Sequence, residues 1–138
     1  MSWIRVETRD GVTAFRPGDE AAGTVRWQLD QPPRSLDLRL FWYTQGKGEQ
    51  DMGVVEELPL AEPGAEGSRS FRFRLPAGPF SFSGKLISLL WAIEAVAETV
   101  GAGPQAGRCE IIVSPTGREI LLPSQAPAIP STPSTGAR

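Results

Sequence analysis

Residues 79–100 read PFSFSGKLISLLWAIEAVAETV, and whether 86–100 winds into a helix, anchors in a membrane or runs extended decides the fold class. A bilayer span needs about 20 predominantly apolar residues, and this run is shorter and carries Glu94 and Glu98. Sorted with a period of two, it places Ile87, Leu89, Trp91, Ile93, Ala95 and Ala97 on one face and Ser88, Glu94 and Glu98 on the other, the pattern of a strand with one buried face. A helix would also gather Glu94 and Glu98 on one side, so periodicity alone leaves both conformations open. The flanks favour the strand. Pro79, Ser81, Ser83 and Gly84 lead in without a capping box, and the other clear segments of the chain alternate. A long central strand is expected.

Three of those segments alternate strongly. Residues 35–45 set Leu36, Leu38, Leu40 and Trp42 against Asp37, Arg39, Phe41 and Tyr43; 21–29 set Val25, Trp27 and Leu29 against Thr24, Arg26 and Gln28; 68–75 set Phe71, Phe73 and Leu75 against Ser70, Arg72 and Arg74. Branched and aromatic residues lie on one face and arginine on the other, in agreement with β propensity. Weaker strands are expected at 3–7, 12–15, 53–58 and 109–113, with a short last one at 119–122. Turn residues separate them, among them Pro17-Gly18-Asp19, Pro32-Pro33, Gly46-Lys47-Gly48 and Pro63-Gly64. This spacing is that of an all-β sandwich. From Ser114 the composition turns to Pro, Ser, Thr, Ala and Gly, so residues 1–122 are assigned to the sandwich and 123–138 to a flexible Pro/Ser/Thr-rich tail.

Composition closes off much chemistry. The 138 residues carry a net charge of −2 with interspersed signs, which argues against a nucleic-acid footprint or a polybasic membrane patch. There is no histidine and one cysteine, so imidazole-thiolate metal sites and imidazole bases lack their ligands and their catalyst. Cys109 sits in an alternating stretch and reads as a small buried thiol. MSWIRVETRDG contains no apolar run of signal-peptide length, and a lone cysteine suits a reducing compartment, so a cytoplasmic protein without a membrane span is expected. Glu56 and Glu57 point to opposite faces of a strand, whereas Glu94 and Glu98 would stand about 13 Å apart along one, too far for paired glycosidase carboxylates. Glu94 and Glu98 are assigned to a solvated face. No enzyme activity and no cofactor are expected.

Two stretches together resemble the arrestin-like family, which includes arrestins, arrestin-domain adaptors, retromer subunits and bacterial sporulation-control proteins. Phe15-Arg16-Pro17-Gly18-Asp19 followed by Gly23-Thr24-Val25 is similar to that family's acidic Pro-Gly turn before a Gly-x-Val strand. Leu75-Pro76, then Pro79, Ser81, Phe82, Ser83 and Gly84, then Ile87, Leu90, Trp91 and Ile93, resemble its Pro-x-Ser-aromatic-x-Gly lead into a long apolar strand. The resemblance covers residues 3–113 and implies an arrestin-like, immunoglobulin-like β-sandwich of two antiparallel sheets. Arrestins carry two sandwiches with a charged cluster between them, and this length holds one, so their activation switch is not carried over. What the resemblance implies is a bacterial, non-catalytic adaptor or scaffold that binds one or more proteins.

The residues expected to bind are Arg26, Arg39, Phe41, Tyr43, Arg72 and Arg74, grouped as one basic and aromatic outer face; an edge strand accepting a peptide is the other expected mode. A structural subunit that self-associates or joins a larger assembly is the first alternative. A small-ligand or carbohydrate-binding sandwich, with Trp3 or Trp27 as its platform, is the second.

Overall fold

Strand formation follows the alternation almost segment by segment in the computed structural model, which describes residues 1–48, 50–116 and the backbone of 120–121. In chain order the strands are β1 (Trp3–Thr8), β2 (Ala14–Phe15), β3 (Glu20–Gln28), β4 (Ser35–Gly46), β5 (Met52–Pro59), β6 (Glu66–Arg74), β7 (Phe82–Ser83), β8 (Ile87–Glu98), β9 (Gln105–Val113) and β10 (Ile120–Leu121), with one 3-10 turn at Arg9–Gly11. Among the described residues no helix is long and apolar enough to cross a membrane. The expected tail, 123–138, lies outside the described residues.

The two-sheet sandwich places β1-β3-β6 against a larger sheet ordered β10-β7-β8-β4-β5, with β9 paired to β8 and β2. β8 is the long central strand: it runs antiparallel to β4 from Ser35↔Glu98 to Gly46↔Ile87. Its other edge is shared between β7, through Phe82↔Leu89, and β9, from Trp91↔Ile111 to Ala97↔Gln105. Leu89, Trp91, Ile93, Ala95 and Ala97 are all buried in the common core. They interleave with Leu36, Leu38 and Leu40 of β4 and with Val25, Trp27, Phe71 and Phe73 of the smaller sheet. The buried Trp91 indole N–H donates to Pro79 O at 2.8 Å, so the largest fully buried side chain carries no unmet donor.

The turn at Gly18 has φ +86°, a region open to glycine and resisted by residues with a Cβ. Gly23 serves differently. A Cβ there would run into Glu7 O and the Phe71 ring, so the glycine permits β1 to lie close on β3. At Gly107 of β9, a Cβ would lie 2.7 Å from the Ile4 carbonyl carbon, and β1 therefore passes directly over β9 and closes the sandwich on that side. Among the described residues the other side stays open, with β5 and β6 as free edges of opposite sheets. There, Trp42 of β4 leans over Gly53 of β5 and Trp27 of β3 over Gly67 of β6.

β7 departs from the expected pattern. Residues 79–84 read as a lead-in to the long strand, yet Phe82 and Ser83 pair in parallel with Ile120 and Leu121, and Phe82 also pairs with Leu89 of β8. The strand expected at 12–15 contracts to Ala14–Phe15, held in parallel on Ile112 and Val113.

Candidate functional site

The register of the larger sheet assembles a charged and aromatic cluster on its outer face. β4 presents Arg39, Phe41 and Tyr43 outward because Leu36, Leu38 and Leu40 are turned into the core. Across from them β8 supplies Glu94, Ala92 and Leu90 in the pairs Arg39↔Glu94, Phe41↔Ala92 and Tyr43↔Leu90. β9 adds Arg108 beside Glu94 and Glu110 beside Ala92. β5 adds Val54 opposite Phe41 and Met52 opposite Tyr43.

Glu94 is the hub. Its Oε1 accepts Arg39 Nη2 at 2.9 Å, and its Oε2 accepts Arg108 Nη2 at 3.1 Å and Nε at 3.3 Å. The carboxylate side chain is 10% exposed, against 30% for Arg39 and 39% for Arg108. One sheltered anion thus orients two cations. Both guanidiniums lie over Phe41, at 4.8 Å for Arg39 and 5.2 Å for Arg108, and Arg108 is also 5.1 Å from the Tyr43 ring. Such placement is favourable because the ring faces are electron-rich. It also covers Phe41, which is only 2% exposed although it points away from the core. Arg39 Nε is buried with no hydrogen-bond partner among the described residues.

Tyr43 stacks on Phe41 with ring centroids 5.7 Å apart, and its hydroxyl donates to Glu110 Oε2 at 3.2 Å. Partial burial, and then the negative charge of Glu110, push the phenol above its ordinary value, against the pull of Arg108. Beside this cluster a shallow hollow of about 380 Å3 is lined by Arg39, Tyr43, Asp51, Met52 and Arg108 among others. Cys109 lies on the opposite face of β9. Burial, the largest influence, pushes its thiol up; a backbone contact at Thr8 opposes this and the charges of Glu110 and Glu7 add to it, so it is held as a protonated, unreactive thiol.

The six residues grouped in the sequence as one face fall on two. Arg39, Phe41 and Tyr43 come together on the larger sheet. Arg26, Arg72 and Arg74 lie on the outer face of the smaller one, where Arg26 pairs with Glu7 and Arg72 with Glu20, each at 3.7 Å, and Arg74 donates to Gly18 O at 2.9 Å. Phe41 is covered rather than exposed, and Glu94 is sheltered rather than solvated; Glu98 is exposed as expected. Arg108, Met52 and Val54 were not singled out from the sequence. Of the two indoles considered as a ligand platform, Trp27 is buried and donates to Gly64 O, while Trp3 is exposed with the Arg5 guanidinium 5.3 Å from its ring.

Neither a protein-family profile nor a curated protein sequence matches the chain. Among solved structures, Spo0M, a sporulation control protein from Bacillus subtilis, superposes with a TM-score of 0.61 at 22% identity over 81% of this chain. The two share a fold. This chain spans 49% of the Spo0M chain, so the correspondence is with about half of that protein. A superoxide reductase (neelaredoxin) from Ignicoccus hospitalis aligns over 82% of both chains with a TM-score of 0.40 and 17% identity.

Proposed function

We propose that this domain is a non-catalytic protein-binding adaptor whose docking surface is the outer face of the larger sheet, centred on Arg39, Tyr43 and Arg108, which lie over the covered Phe41. The observation that carries the reading is the single sheltered carboxylate of Glu94 fixing two arginines over an aromatic pair, next to the exposed Met52. Tyr, Arg and Met are the residue types enriched at protein interfaces. Fixing the guanidiniums beforehand lowers the entropy lost when a partner docks. The shared fold with a sporulation control protein agrees with a role in control rather than chemistry.

The test is affinity capture from the native host with mass spectrometry of what co-elutes, comparing the wild type with a Tyr43→Ala/Met52→Ala variant, which leaves the Arg39–Glu94–Arg108 cluster intact. The expected result is loss of a specific co-eluting protein at an unchanged melting temperature. The same protein retained by this variant but lost with Arg72→Glu/Arg74→Glu would overturn the assignment and move the interface to the smaller sheet.

A further inference from the structure

Among the described residues β5 terminates the larger sheet and pairs only with β4 in the strand order. Thr44 N donates to Asp51 O at 2.9 Å, and because successive residues of an antiparallel strand turn their amides to alternate sides, the N–H and C=O groups of Met52 and Val54 point away from β4. The register shifts between Leu40 and Phe41, leaving Val55 as the extra residue of a bulge. Met52, Val54 and Val55 are 50%, 45% and 40% exposed. An exposed apolar edge with free backbone groups is a template for another strand.

Charge selects what that strand can be. From Gly48 to Ser68 the sequence carries Glu49, Asp51, Glu56, Glu57, Glu62 and Glu66 and no lysine or arginine. This stretch bears −6 in a chain whose total is −2, so the remainder bears +4. Two copies meeting edge to edge would oppose −6 with −6, and Pro59 and the bulge at Val55 further blunt self-pairing. A strand carrying lysine or arginine between apolar residues replaces that repulsion with attraction.

We propose that the free edge of β5 receives an extended segment of a partner protein in which apolar and basic residues alternate, adding a strand beside Met52–Pro59. Backbone bonds to Met52 and Val54 hold it, its apolar side chains continue the row formed by Met52 and Val54, and its cations, on the other face, lie toward Glu56. This rests on the reading of the domain as a protein binder and names the sheet edge that adjoins the docking face, with Met52 common to both.

The test uses the full chain, labelled with nitrogen-15, and a capped synthetic hexapeptide of alternating lysine and valine. Binding is expected to shift the Met52 and Val54 amide signals and slow their exchange with solvent at least tenfold. Val54→Pro removes an outward N–H without touching the ladder to β4 and is tolerated on an edge strand; it is expected to weaken binding at least tenfold with unchanged melting. A lysine-glycine hexapeptide of the same charge is expected to bind at least tenfold more weakly than the lysine-valine one. Equal binding by Val54→Pro, or by the lysine-glycine peptide, would reduce the effect to charge attraction and overturn the proposal. So would a concentration-dependent dimer in sedimentation that protects the same two amides, since the occupant would then be a second copy. Tyr43→Ala/Met52→Ala failing to alter host capture while the peptide still binds would sink the sheet-face reading and leave this edge standing.

Discussion

Removing the Glu94 carboxylate isolates the interaction on which the outer face depends. Glu94→Gln keeps the shape and deletes the charge, leaving Arg39 and Arg108 without their shared anion. Fully buried, the two charge-assisted contacts would each contribute about 1.5–3 kcal/mol, and breaking a buried pair from one side costs about 3–5 kcal/mol. Here the carboxylate is sheltered but the guanidiniums are 30% and 39% exposed, so water takes over part of the lost solvation. Each contact then falls nearer the surface value of about 1 kcal/mol at most. A total loss of about 2 kcal/mol follows from combining these limits. Urea denaturation followed by tryptophan fluorescence reads this directly, and the loss should shrink at 1 M salt, where screening acts within about 3 Å. The triple replacement Arg39→Met/Glu94→Leu/Arg108→Met should recover most of the stability, because an apolar triad has no charge to desolvate. A Glu94→Gln cost below about 0.5 kcal/mol, within the range of ordinary surface changes, would show that the cluster is not held as the distances suggest. A triple variant as unstable as Glu94→Gln would refute the solvation argument.

Other outcomes are equally direct. Tyr43 is the chain's single tyrosine, so tyrosinate absorbance reports it alone; the midpoint should lie above 10.0, and Glu110→Gln should lower it while the contribution of burial stays. Since the folded value exceeds the unfolded one, this group's contribution to stability is intact below about pH 10 and is lost as pH rises through the folded value. Cys109 should react with iodoacetamide slowly at neutral pH, with a rate that rises with pH to a midpoint above 9.0, and faster on unfolding, because burial holds its proton; fast modification of the native protein at neutral pH would contradict the packing of β1 on β9. Gly107→Ala sets a methyl against the Ile4 backbone, which cannot rotate away, and should cost about 2–3 kcal/mol in urea denaturation. Leu38→Ala, fully buried between the sheets, should cost about 2–5 kcal/mol in the same measurement.

The strands were legible wherever one face is buried, because alternation reports that face directly: β3, β4, β6 and β8 lie within a residue or two of the expected bounds. Alternation says which side of a strand faces inward. It does not say which sheet the strand joins. Arg26, Arg72 and Arg74 therefore looked equivalent to Arg39, although the pairing of β3 with β6 sends them to the opposite surface. The covering of Glu94 and Phe41 escaped for a related reason: both are outward by periodicity, and only the β8–β9 register brings Arg108 to them. The alternation of Arg108, Glu110 and Ile112 was visible in the sequence and would have flagged Arg108 once β9 was placed beside β8. β7 escaped because two residues are too few to show any period.

The two tryptophans leaning on glycines carry a consequence for how this sequence can drift. The indole of Trp42 occupies the space a side chain at position 53 would take, and that of Trp27 does the same at position 67. Neither member of a pair can enlarge alone, so positions 42 and 53, and positions 27 and 67, should covary among homologues, with a smaller ring accompanying any larger partner. Both couplings join an inner strand to a rim strand, and descendants free to remodel every loop would still inherit them as linked choices.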